Sequence, residues 1–61
     1  MNQFVTLLIN NVAMALDKNN IIAIEPHGSG TMIVLQDSTP GNRIEYFTRS
    51  NYDHVVESYY S

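Results

Sequence analysis

Phe4-Val5-Thr6-Leu7-Leu8-Ile9-Asn10-Asn11-Val12-Ala13-Met14-Ala15-Leu16 decides the fold. Two apolar runs flank a pair of asparagines, residues that adopt positive φ more readily than most. Two-residue turns with positive φ join antiparallel strands, so the stretch predicts a tight β-hairpin. Both runs are apolar at consecutive rather than alternate positions. Side chains alternate sides along a strand, and such runs therefore place apolar groups on both faces of a sheet. Ile21-Ile22-Ala23-Ile24 and Met32-Ile33-Val34-Leu35 have the same character. A chain of 61 residues holds too little material to cover both faces. Self-association, or a dedicated partner, is the expected consequence.

Turn chemistry separates these runs at short intervals, the pattern of an antiparallel meander. Asp17-Lys18-Asn19-Asn20 reads as a turn or a single helical turn capped by Asp17. Pro26-His27-Gly28-Ser29-Gly30 separates the third run from the fourth. Asp37-Ser38-Thr39-Pro40-Gly41-Asn42 separates the fourth from the fifth, with Pro40-Gly41 suited to the centre of a type II turn. The fifth run does alternate: Ile44, Tyr46 and Thr48 share one face, and Arg43, Glu45, Phe47 and Arg49 the other. It predicts a half-exposed strand.

The last segment changes period. Tyr52, Val55, Val56 and Tyr59 fall at i, i+3, i+4 and i+7, the apolar stripe of a helix. Ser50 is expected to cap it, with Asp53 reaching back and meeting the positive end of the helix dipole. A helix this short is marginal alone and must dock, with one sheet face as its expected seat. The expectation is one domain over residues 1–61, mainly β within the α+β class: a five-stranded antiparallel meander or SH3-like open barrel with one C-terminal helix.

Composition narrows the function classes. A domain this small buries only about 60% of its unfolded surface, so disulfides, a metal or oligomerisation usually support it. Cysteine is absent and only two histidines are present, which leaves oligomerisation. The net charge is −3, with Lys18, Arg43 and Arg49 against six acidic residues. Three scattered cations do not make the basic stripe of a nucleic-acid binder, so direct DNA or RNA binding is not expected from one chain. No apolar stretch approaches the roughly 20 residues of a membrane span, and no secretory leader is recognised. A cytoplasmic protein, of a bacterium or an infected host bacterium, is expected.

Taken in order, the strands and turns resemble the small FlbD/SwrD proteins of flagellar operons. The resemblance is carried by Phe4 to Leu8, Asn10-Asn11, Ile21 with Ile24-Glu25-Pro26, Thr31 to Leu35, and Arg49-Ser50 ahead of Val55-Val56 and Tyr59. It spans nearly the whole chain and consists of hydrophobic pattern and turns. Thr39-Pro40-Gly41 lengthens the fourth turn relative to that family, and the family's lysine-rich character is missing. The resemblance implies a flagellar accessory role.

Pro26-His27-Gly28-Ser29-Gly30-Thr31 is the nearest thing to a motif. Its glycines would let backbone amides approach an anion, but no Gly-Lys-Thr/Ser follows and the serine lacks the glycines of a nucleophile elbow. A hairpin turn is the simpler reading. His27 and His54 with Asp53 and Glu57 are weak metal candidates, because these positions fall on the predicted solvent face. No cofactor is expected. Without cysteine, and with both histidines in exposed elements, an enzyme is not expected either.

Two functional expectations follow. One is a non-enzymatic protein-interaction module that self-associates as a homodimer or higher oligomer and binds another protein, for which a phage-encoded inhibitor of a host protein is one setting. Its interface residues are Tyr46, Phe47, Tyr59 and Tyr60, since tyrosine and other aromatics are enriched where interfaces hold most strongly. The other is an oligomeric sponge for a nucleotide or other small anion at subunit interfaces. Arg43, Arg49, His27, Gly28, Ser29 and Gly30 would contact that ligand.

Overall fold

The computed structural model describes residues 3–61. Its elements run β1 (Phe4–Ile9), β2 (Val12–Asp17), a single 3-10 turn (Lys18–Asn20), β3 (Ile21–His27), β4 (Gly30–Gln36), β5 (Arg43–Thr48) and α1 (Tyr52–Tyr60). The mainly-β, α+β expectation holds: five strands lie in two antiparallel sheets, with one helix at the C-terminal end.

Each turn follows its local chemistry. Asn10 and Asn11 have φ of 53° and 65°, and Ile9 pairs directly with Val12 across them. Gly28 has φ 59° while Ser29 is not positive, the pattern of a type II′ hairpin between the paired His27 and Gly30. Gly41 has φ 89°, and the Asn42 amide donates to the Thr39 carbonyl at 3.1 Å, closing the type II turn around Pro40-Gly41. The Asp17 carboxylate accepts from the Asn19 amide at 2.9 Å and caps the 3-10 turn.

The meander is not continuous. β3-β4-β5 form a three-stranded sheet, whereas β1-β2 stand as a separate ribbon. The 3-10 turn after Asp17 is the cause, since it redirects the chain so that β3 leaves the plane of β2. The two sheets meet face to face around Val5, Leu7, Ile9, Leu16, Ile33, Leu35 and Val55. β1 therefore buries alternate residues although all of it but Thr6 is apolar, and Leu8 remains 62% exposed.

The helix joins this core instead of covering an outer sheet face. Val55 is fully buried, and α1 packs mainly along β3 with further contact to β1 and β4. Its cap is Asn51 rather than Ser50. The Asn51 Oδ1 accepts from the His54 amide at 2.8 Å, while the Ser50 carbonyl is taken by the Thr31 hydroxyl at 2.8 Å. Asp53 lies in the first turn as expected.

Two buried threonines tie the fold together, and one of them, Thr48, joins the two sheets. Thr31 bonds forward to Ser50, and the Thr48 hydroxyl donates to the Leu8 carbonyl at 3.0 Å, joining β5 to β1. The Thr48 oxygen also accepts from the Ser50 amide at 3.4 Å. These bonds satisfy polar groups that would otherwise be costly to bury.

Candidate functional site

Two surface features stand out, an apolar face and a cleft beside it. In an antiparallel pair, directly opposed residues share a face. The register Leu8↔Ala13 and Thr6↔Ala15 therefore places Phe4, Thr6, Leu8, Ala13 and Ala15 together on the outer side of the ribbon. All five are exposed, and the only charge in those rows is Asp17 at the end, paired opposite Phe4. The outer face of the three-stranded sheet differs. There Met32, Val34 and Phe47 lie among Glu25, Glu45 and Arg43, so charges ring its apolar groups.

The free edges differ as well. β3 ends its sheet on one side, and it carries an irregular register between Ile21 and Ala23 and a proline at Pro26. Bulges and prolines are the devices that discourage strands from pairing with another chain. β2 has neither device, and no charged residue from Val12 to Leu16. Among the described residues, its only extensive neighbour is β1.

The cleft has a volume of about 400 Å³ and lies where the Asn10-Asn11 hairpin meets the end of β5. Leu8 and Phe47 supply its apolar lining, and Asn10, Asn11, Arg49 and Ser50 its polar one. Thr48, almost fully buried and bonded to the Leu8 carbonyl, anchors its floor. None of the six acidic residues lines it, so a chain of net charge −3 presents here a single positive charge. One side of the Phe47 ring rests on Gly30, where an added Cβ would lie 2.7 Å from the ring, and the side chain remains 42% exposed. The His27 ring meets it edge-on at 5.6 Å.

The expected ligand residues are divided by this geometry. His27, Gly28, Ser29 and Gly30 lie at the β3–β4 hairpin, at the same end of the sheet as Arg49, because Thr31 pairs with Thr48. Gly28 and Ser29 form a bare two-residue tip, and the turn type itself accounts for the Gly28 conformation. Arg43 sits at the other end of β5, opposite Gln36. At about 3.4 Å per residue it lies roughly 17 Å from Thr48, so Arg43 and Arg49 do not share a site within one chain. Lys18 lies elsewhere again, 5.6 Å over the Tyr59 ring. The three cations thus form no common basic face.

The expected interface residues divide too. Phe47 and Tyr60 are exposed, Tyr60 to 78%. Tyr46 faces inward and packs against the core, as alternation along β5 requires, and Tyr59 is half-buried between the core and Lys18. Both are packing residues in the single chain. A smaller groove of about 240 Å³ runs between α1 and β3, lined largely by Ile21–Ile24 and by Tyr52, Tyr59 and Tyr60.

Leu8, Asn10, Asn11, Thr48 and Ser50 were not foreseen as cleft residues. Their juxtaposition depends on β1 meeting β5, a contact between segments some 40 residues apart. The Asn10-Asn11 turn and the Arg49-Ser50 exit were each legible, but nothing local says that they adjoin. Among the described residues, no three of His, Cys, Asp or Glu cluster as metal ligands, and no helix is long and apolar enough to cross a membrane. Comparison with family models, with curated proteins and with solved structures finds no match, so the FlbD/SwrD resemblance rests on strand and turn pattern alone.

Proposed function

We propose that this protein is a small non-enzymatic interaction module that works as a self-associated assembly, with the β1-β2 ribbon as the surface where copies meet. The observation that carries this reading is the ribbon's outer face: Phe4, Leu8, Ala13 and Ala15 are exposed together with no charge between them, beside an edge strand that lacks protection. A two-stranded ribbon is marginal on its own, and sheets gain stability from additional strands. Pairing β2 with β2 of a second copy makes one four-stranded sheet, occupies the open edge, and is self-complementary as a two-fold interface requires. Asp17 at the end is the one acidic residue in the rows of this surface, while Asp53 and Glu57 are exposed on α1, where they can face a different protein.

Sedimentation equilibrium over a range of concentrations tests the reading. The native chain is expected to associate at micromolar concentration. Ala15→Lys, which puts a charge on the outer face of the edge strand, is expected to be monomeric with an unchanged circular dichroism spectrum. A native chain that stays monomeric throughout, or an Ala15→Lys variant that associates as tightly as the native chain, refutes it.

A further inference from the structure

We propose that the cleft between the Asn10-Asn11 hairpin and the end of β5 is a binding site for a mononucleotide, with the phosphate held by Arg49 and the base resting on Phe47. The inference goes beyond the self-association reading, because every group it uses comes from one chain.

The chemistry of the lining carries it. Arg49 is exposed at a cleft with no acidic lining residue, and its charge is therefore available to an anion. Guanidinium groups match phosphate oxygens in a bidentate fork, which makes arginine the preferred residue for that contact. Phe47 precedes Arg49 by two positions, with the buried Thr48 turned inward between them. Arg49 stands in the bend after β5, and it and Phe47 line the same cleft with their Cα atoms at most about 7 Å apart. That separation suits a ligand with its anionic group at one end and an aromatic ring at the other.

The remaining lining adds recognition. Asn10 and Asn11 each offer an amide with both donors and an acceptor, the combination that reads the edge of a base or a sugar hydroxyl. Leu8 closes the apolar side. The volume of about 400 Å³ falls in the range of small-molecule sites, roughly 300–1,000 Å³.

The frame is also held in place before any ligand arrives. Thr48 is bonded to Leu8, Ser50 to Thr31, and the hairpin is a two-residue turn with no slack. A preorganised site loses less on ordering when it binds. Inorganic phosphate alone engages only Arg49, whereas a nucleotide reaches Phe47 and the asparagines as well. Nucleic-acid strands are disfavoured by the same surface, since neither Lys18 nor Arg43 lies near enough to continue a phosphate track.

Titration of the labelled protein with AMP, adenosine and inorganic phosphate, followed by amide chemical shifts, is the test. AMP is expected to move Asn10, Asn11, Arg49 and Ser50 while leaving Gln36 and Arg43 in place, and to bind at least tenfold more tightly than phosphate or adenosine. Arg49→Gln is expected to weaken AMP at least tenfold, and Phe47→Leu, which keeps an apolar cover over Gly30, to reduce AMP affinity toward that of phosphate. Arg43→Gln is expected to bind normally, and the monomeric Ala15→Lys variant to keep AMP binding to within the few-fold that coupling to self-association allows, so a failure of self-association leaves this result legible. The proposal is overturned if AMP produces no shifts at these residues, if phosphate binds as well as AMP, or if Arg43→Gln weakens AMP as much as Arg49→Gln.

Discussion

Replacing Leu8 with threonine isolates the association surface from the fold. Leu8 points outward from β1 with 62% of its surface open, opposite Ala13. Threonine is β-branched, a shape that strands favour, so the monomer is expected to change by no more than about 0.5 kcal/mol. Fully burying a leucine is worth about 1.5–3 kcal/mol, and 62% of that leaves about 1–2 kcal/mol to be gained on association. Threonine retains one methyl of this, so the loss is about 1 kcal/mol per copy. A two-fold interface contains the residue twice, which doubles the loss to about 2 kcal/mol. With 1.4 kcal/mol per decade, the dimer dissociation constant rises roughly 30-fold. Sedimentation equilibrium reads this directly, and urea unfolding at low concentration checks that the monomer is intact. An unchanged dissociation constant in a folded Leu8→Thr variant would refute the assignment of the ribbon face.

Three further outcomes probe the frame. Thr48→Val removes the hydroxyl that joins β5 to the Leu8 carbonyl and leaves that carbonyl without this donor, at an expected cost of about 1–3 kcal/mol; calorimetry should show a melting temperature lower by about 4–8 °C per kcal/mol. Gly30→Ala drives a Cβ into the Thr48 carbonyl and to within 2.7 Å of the Phe47 ring, and is expected to destabilise by about 1–3 kcal/mol in urea titration. Asn11→Ala places alanine at φ 65° and is expected to cost about 1–2 kcal/mol, whereas Asn11→Gly at the same position should be close to native.

Local structure was legible where a single residue type dictates a backbone geometry. Asn10-Asn11, Gly28 and Pro40-Gly41 announced their turns because few residues accept positive φ, and the alternation of β5 announced its buried face. Ser50 was misread as the helix cap because serine and asparagine are both good caps and adjacent in sequence. The choice fell to Thr31, a distant side chain that claims the Ser50 carbonyl. The break between β2 and β3 was likewise invisible, since a polar tetrad serves equally to continue a meander or to leave it. Tyr46 and Tyr59 are expected at an interface but also fall on the apolar stripes of β5 and α1, and in the single chain both pack against the core. Arg43 and Arg49 share a face of the fifth run and are expected at one ligand, but they stand at its two ends, which extended spacing keeps apart within one chain. For the helix cap and the tyrosines, the missing information was a contact between distant segments.

Leu8 belongs to both surfaces, because it stands on the outer face of the ribbon and also lines the cleft. Its carbonyl is the acceptor for Thr48, so the backbone at this point is tied to β5 and cannot shift without disturbing the cleft floor. A second copy seated against Leu8 therefore changes what a ligand meets, and a ligand in the cleft changes what the second copy meets. Binding free energies are reciprocal: whatever factor AMP applies to the dimer constant, dimerisation applies to the affinity for AMP. Contact from both sides to one apolar side chain favours joint burial, so the expected sign is positive. Saturating AMP should lower the dimer dissociation constant of the native chain by a few-fold in sedimentation equilibrium, and the effect should shrink in Leu8→Thr. A dimer constant indifferent to bound AMP would mean that the two surfaces act independently despite sharing this residue.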